Sequence, residues 1–226
     1  MSNHSSNSPI FIVYHIGVLG SWHDIAQEQL QLLDSTGLGN AAAHIYIQAV
    51  GAVFSKQKEQ LEAVVKGYPF SHNITLTMSP NLQLYEFPSI KQVLKTAEEY
   101  PDAKILYFHT KGASYTTTAN IHKRHLRPAE IQSIVDFRHA MEHHNIIKWE
   151  GCLKILDEFD VCGVSWMNTN PHEPSFFGGN FWWANAGYLN RCSLGFSCCG
   201  EGHRFKYERF IGMGNPRAQE LSGLDY

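Results

Sequence analysis

Several large classes are excluded by what this sequence lacks. No apolar run reaches the ~18–20 residues that a bilayer-spanning helix needs. The opening MSNHSSNSP has no apolar stretch, so residues 1–9 read as a short disordered tail and not as a signal peptide. Charge is scarce as well: 17% of residues are charged, with 18 basic against 21 acidic and a net charge of −3. A nucleic-acid binder carries a basic excess, so that partner is not expected. The five cysteines, at 152, 162, 192, 198 and 199, form no C-x-x-C pair, which argues against a zinc knuckle. Vicinal Cys198 and Cys199 cannot join in an unstrained disulfide, and reduced thiols in a cytoplasmic protein are the simplest expectation. The chain also has no G-x-G-x-x-G, no G-x-x-x-x-G-K-[ST] and no G-x-S-x-G, the fingerprints of dinucleotide folds, P-loops and α/β-hydrolases.

What is present suits one large domain. In 226 residues, 43% are hydrophobic and 12% aromatic, enough for a substantial core. Ile10–Tyr14 is a short β-branched run fit for a buried strand, followed by a turn over His15–Gly20. Ser21 with Asp24 has the spacing of a helix cap, Ile25, Leu30 and Leu33 share one helical stripe, and Gly37 suits the stop. His44–Val50, Ile74–Met78 and Lys104–Phe108 read as strands; Lys56–Lys66 and Phe87–Tyr100 read as the helices between them. Pro128–Trp149 reads as one long helix and Gly151–Glu158 as another. Val161–Trp166 reads as a further strand, Phe176–Tyr188 as an aromatic, glycine-bearing segment, and Glu208–Ile211 as the start of a late helix. Alternating strands and helices predict an α/β, αβα sandwich with a mainly parallel central sheet. In such sheets ligands bind beyond the carboxyl ends of the strands.

Two segments with unusual chemistry fall at that edge. His109-Thr110-Lys111-Gly112 places an imidazole, a hydroxyl and an ammonium after the fourth strand, and Lys111 is a point charge suited to a diphosphate. Taken alone, an ordinary polar turn explains the loop equally well. Gly178-Gly179-Asn180-Phe181-Trp182-Trp183 joins flexible backbone, amide forks and indole faces, a combination that fits sugar rings, although strand aromatics are ordinarily core. Arg124, Arg127 and Arg138 lie on or before the long helix, where exposure is the default. His139 and His143 have the i,i+4 spacing of a metal pair but do not form H-E-x-x-H.

Read together, Tyr14-His15, Trp22, Ser35–Leu38, Tyr85-Glu86-Phe87-Pro88-Ser89-Ile90, Tyr107–Gly112, Arg138-x-x-Met141, Trp149-x-x-Cys152, Gly178–Ala184 and Glu208-x-x-Ile211-Gly212 carry a resemblance. Over about residues 10–215 the chain resembles small glycosyltransferase-like proteins of the GT-A type found among microbial and large-virus sugar-polymer genes. The resemblance implies a single GT-A-like, Rossmann-like domain over 10–226, with residues 10–112 binding the nucleotide sugar and 113–226 serving the acceptor. It implies transfer of a hexosyl or deoxyhexosyl group from a nucleoside-diphosphate donor, with UDP the expected nucleotide, to a hydroxyl of a glycan or glycoconjugate. Tyr14, His15, Gly17, Glu86, His109, Thr110, Lys111, Gly112 and Arg138 would serve the donor. Gly178, Gly179, Asn180, Trp182 and Trp183 would serve the acceptor, and Glu208 would be the base of an inverting reaction. GT-A enzymes usually hold Mn²⁺ or Mg²⁺ on an acidic D-x-D after the fourth strand, but that place holds His109-Thr110-Lys111 here. Two answers stay open: Lys111, with Arg138, neutralises the leaving group without a metal, or His109 ligates Mn²⁺ or Mg²⁺. A catalytically silent sugar- or nucleotide-binding domain of the same fold is the alternative reading.

Overall fold

The computed structural model describes residues 8–52, 54–116, 127–168, 172–196 and 204–224. Most of the expected 1–9 tail, Arg124 and the vicinal Cys198-Cys199 lie outside them. Seven strands form one sheet in the order β3-β2-β1-β4-β8-β5-β9. They are β1 Ile10–Gly17, β2 His44–Val50, β3 Ile74–Ser79, β4 Lys104–His109, β5 Val161–Gly163, β8 Trp182–Asn185 and β9 Ala218–Glu220. Only β8 runs against its neighbours, being antiparallel to both β4 and β5. β6 Trp166–Met167 and β7 Phe176–Phe177 pair separately as a small hairpin-like sheet. The chain thus has a mixed α/β fold with a mostly parallel central sheet, and strands from both halves of the sequence complete it.

Alternation along the strands makes the two faces. Ile10, Ile12, Tyr14 and Ile16 of β1 join Leu106 and Phe108 of β4 on one face. Against them pack α1 Trp22–Ser35 through Ile25, Leu30 and Leu33, and α3 Ser55–Lys66 through Leu61 and Val65. Phe11, Val13, Ile105 and Tyr107 point the other way, onto α4 Phe87–Glu99 and the later helix α7 Ala186–Phe196. The short α2 Leu38–Ala41 follows α1 after Gly37, whose φ of +74° supplies the left-handed stop. No described helix is long and apolar enough to cross a membrane.

Four expectations need correction. Ser21 precedes α1 without a side-chain cap. The helix expected over Pro128–Trp149 is divided into α5 Pro128–Glu142, a π-helical turn His143–Ile147 and α6 Trp149–Ile155. The wide turn drives Asn145 inward, where its Nδ2 donates to Met141 O at 2.9 Å and its carbonyl accepts the Trp183 indole N–H at 2.9 Å. The strand expected over Val161–Trp166 breaks at Ser165, where φ is +63° and the Glu220 carboxylate accepts the N–H groups of Ser165 and Trp166. At the late segment, α8 Arg204–Glu208 ends where a helix was expected to begin, and a 3₁₀ turn Phe210–Gly212 follows.

That last turn packs with little tolerance. A Cβ on Gly212 would sit 1.7 Å from the Ser175 carbonyl oxygen, whereas one on Gly17 would meet nothing within 4 Å. Gly212→Ala is therefore expected to lower the unfolding free energy by roughly 2–4 kcal/mol in urea denaturation. Gly17→Ala should stay within about 0.5 kcal/mol of the parent, and equal values for the two would refute the contact.

Candidate functional site

Connections β1-α1-β2-α3-β3 step away from β1 in one direction. The chain then returns through α4 to lay β4 on the other side of β1. Strand order therefore reverses between β1 and β4, and in open α/β sheets a crevice opens beyond the carboxyl ends at such a point. β1 and β4 pair in parallel with His15 opposite His109. Odd-numbered side chains of both strands face α4, so the two imidazoles arrive side by side at the floor of a cleft of about 200 Å³.

The start of α4 supplies the cleft's carboxylate. Glu86 is its N-cap and is 7% exposed; the preceding Tyr85 has φ +46° and turns the chain into the helix. Glu86 Oε2 accepts a hydrogen bond from Asn180 Nδ2 at 2.5 Å. The Trp182 indole N–H donates to Asn180 Oδ1 at 2.8 Å, which fixes which way the amide points. His109 Nδ1 lies 3.7 Å from Glu86 Oε1, and His109 Nε2 donates to Gly179 O at 2.7 Å. Gly179 has φ +83°, and a Cβ there would meet Met141 Sδ at 2.4 Å, so glycine is needed to present that carbonyl. His15 Nδ1 bonds Ser89 Oγ at 2.9 Å. Burial is the main force holding the His15 imidazolium back, and nearby His109 adds to it against the pull of Glu86, so its pKa falls to about 4. The Tyr107 hydroxyl, buried beside Glu86, is pushed well above its ordinary pKa, first by burial, then by the charge and hydrogen bonding of Glu86, and last by Glu208.

Beyond the floor the two strands are clasped together. Thr110 N–H donates to His15 O at 3.1 Å, and Gly17 N–H donates to Thr110 Oγ1 at 3.1 Å. A tight turn follows, with Lys111 N–H on His109 O at 2.7 Å and Gly112 at φ +91°. It carries Lys111 to the cleft edge, and among the described residues the ammonium has no ion pair. Leu19, Val50, Leu82 and Tyr85 form the apolar rim.

Of the residues expected at the donor, His15, Gly17, Glu86, His109, Thr110, Lys111 and Gly112 are brought together here. Tyr14 is not: it is fully buried on the opposite face, stacked on Phe108 at 4.3 Å, because its even-numbered position points toward α1. Arg138 is also on that face. Its guanidinium holds Glu28 at 2.7 Å and Glu142 at 2.9 Å, so its charge is spent before any phosphate arrives. Burial lifts the Glu142 carboxyl above its usual range even with that cation beside it.

The acceptor set is corrected more fully. Trp182 and Trp183 are fully buried on opposite faces of β8, and neither lines the cleft. Gly178 packs under Ser165 and Met167, while Gly179 and Asn180 act on the cleft only through His109 and Glu86. Glu208, half-buried at the end of α8, also lies outside the lining, although its charge reaches Tyr107.

For a divalent cation the cleft offers a poor donor set. His109 Nε2 is committed to a carbonyl, and among the described residues Glu86 is the one carboxylate in the lining. Among the described residues, the group with metal-ligand spacing is Glu28, His139 and Glu142, on the other face and already bridged by Arg138; His143 does not belong to it. Sequence reasoning missed Ser89, Leu82 and Tyr115 as cleft or wall residues. Pro88 at the helix start, which places Ser89 in the first turn, was the usable signal for the first of them.

The geometry defines an α/β protein with a ligand cleft at its strand-order reversal, and solved structures include a match to that architecture. The 4-diphosphocytidyl-2C-methyl-D-erythritol synthase of Anaerococcus prevotii superposes with a TM-score of 0.50 over 95% of this chain and 86% of its own, at 6% identity, a likeness of fold alone. The chain itself belongs to the family described as a domain of unknown function, DUF8361, whose model matches residues 18–193. No curated protein matches it.

His15 makes stability depend on pH in a defined direction. A folded pKa of about 4 against an unfolded value of 6.5 means the unfolded chain binds the proton first as pH falls. The neutral burial is therefore fully tolerated above about pH 6.5 and costs up to about 3 kcal/mol by pH 4. Urea denaturation across this window should show that loss in the parent, and His15→Gln should remove that share of the slope; parallel profiles would reject the assignment.

Proposed function

We propose that the chain is a glycosyltransferase that takes a nucleoside-diphosphate sugar, with UDP as the nucleotide, and passes the sugar to a hydroxyl of a glycan or glycoconjugate. The carrying observation is Lys111 in the lining of the cleft where strand order reverses. A nucleobase fits the apolar rim of Leu82 and Tyr85, and a diphosphate fits the ammonium and the turn around Gly112. As the sugar leaves, negative charge develops on the diphosphate, and a fixed cation there lowers the barrier. Neither Arg138 nor a metal held by three cleft side chains enters this reading. The resemblance in sequence to GT-A-type proteins supports it, and the nucleotide-binding type of fold is compatible with it.

A second reading, a silent nucleotide- or glycan-binding domain, draws support from the burial of Trp182 and Trp183 and from the position of Glu208 outside the cleft. Slow release of UDP from a UDP-sugar without acceptor distinguishes the two, since a binder releases none.

Calorimetric titration with UDP, GDP, TDP and CMP, each with and without Mn²⁺, tests the donor assignment. UDP is expected to bind, and Lys111→Ala to weaken it roughly 10–100-fold, the range of a charge-assisted contact. Absence of nucleotide binding overturns the reading; an unchanged affinity in the variant removes Lys111 from the site.

A further inference from the structure

We infer that Glu86 is the carboxylate that takes the proton of the attacking hydroxyl, and that Asn180 and Trp182 are positioning residues that aim it. The inference rests on the transferase reading above and moves the base role from Glu208 to the carboxylate that, among the described residues, lines the cleft. Glu86 is almost wholly enclosed, and its two oxygens are differentiated. Oε2 is tied to Asn180 at 2.5 Å, whereas Oε1 lies 3.7 Å from His109 Nδ1.

The apparatus around this one group is larger than a capping role requires. Asn180 is itself 1% exposed and held at φ +58°, so two non-glycine residues in the left-handed region, Asn180 and Tyr85, converge on Glu86. The Trp182 indole can only donate, so it must meet the amide oxygen, and the amide nitrogen is then forced toward the carboxylate. A chain of three side chains from β8 to α4 thus fixes a carboxylate at the cleft floor, with preorganisation of the kind a proton acceptor needs. It also gives the tryptophan-rich segment a role compatible with complete burial.

The step balances as follows. The attacking oxygen bonds to the anomeric carbon and gives its proton to Glu86 Oε1. The bond from that carbon to the diphosphate oxygen breaks, and its electron pair leaves with the diphosphate facing Lys111. The polar and charged groups that face Glu86 are His15 on β1, His109 and Tyr107 on β4, and Asn180 on the β8 side, with Lys111 in the cleft lining and Glu208 near Tyr107.

The test follows UDP release from UDP-glucose, UDP-galactose and UDP-N-acetylglucosamine, with water as the attacking hydroxyl, between about pH 5 and 9, alongside calorimetric binding of UDP. Glu86→Gln should lower kcat roughly 10²–10⁴-fold while keeping KM and UDP affinity within about threefold. Trp182→Phe, which removes the indole donor and keeps an aromatic ring, should lower kcat with KM unmoved. Glu86→Asp keeps the carboxylate, so it should retain part of the rate that Glu86→Gln loses, and it carries the test if the Gln variant does not fold. Three outcomes overturn the inference while leaving nucleotide binding intact: wild-type kcat in Glu86→Gln, a loss carried by KM alone, or a parent protein that binds donors and releases no UDP. Failure of the parent to bind UDP overturns the underlying reading instead.

Discussion

The parallel, in-register pairing of β1 with β4 is the constraint on which the remaining structure depends. The strands between them step outward, and the chain then returns to the other side of β1. A crevice opens there, and whatever ends the two strands becomes its floor. The pairing sets His15 against His109, and the clasp between Thr110, His15 O and Gly17 N–H keeps the two ends in step. A slip of one residue would send both imidazoles to the opposite face and bring Tyr14 and Phe108 into the cleft.

A second layer of order comes from β8, the reversed strand. It lies against β4 and sends Trp183 to one face and Trp182 to the other. Each indole needs an acceptor because it is buried. Trp183 finds the Asn145 carbonyl in the π-helical turn, and Trp182 finds Asn180. Both bonds tie a backbone irregularity to the core. The wide turn at His143–Ile147 and the left-handed Asn180 persist because the indoles hold them. The opposite face has its own polar centre, in which Arg138 holds Glu28 and Glu142, and Gln29 donates to Glu142 and to His109 O. Its carboxylates pair the Arg138 guanidinium, which separates a cation that serves packing from Lys111, which has no such partner among the described residues.

Much of the frame was legible in the residues. His44–Val50 matches its strand without adjustment, and the helices of the first half fall within a residue or two of their expected limits. Local signals explain this success: β-branched runs, a glycine stop at Gly37 and Pro88 in a first turn act over a few residues and survive folding. The cleft loop His109–Gly112 was equally visible, since a polar cluster directly after an apolar strand falls at the carboxyl edge of a parallel sheet. The second half was less legible. Nothing local marks the break at Ser165, which depends on a carboxylate 55 residues further along the chain. The interruption after Glu142 depends on a buried amide and an indole from β8.

By itself, then, the sequence determined the layer architecture and the identity of the groups at the end of the fourth strand, because period and punctuation are properties of neighbouring residues. Which face each side chain takes was decided by the tertiary structure. Tyr14 and His15 are adjacent in the chain yet lie on opposite sides of the sheet, and the same parity separates Trp182 from Trp183. Arg138 and Lys111 look alike as cations in the sequence, but the fold surrounds one with carboxylates and leaves the other at the mouth of the cleft. The physical reason is the same in each case. Exposure and charge partnership are set by elements that meet only when distant segments pack, and composition holds no record of that meeting.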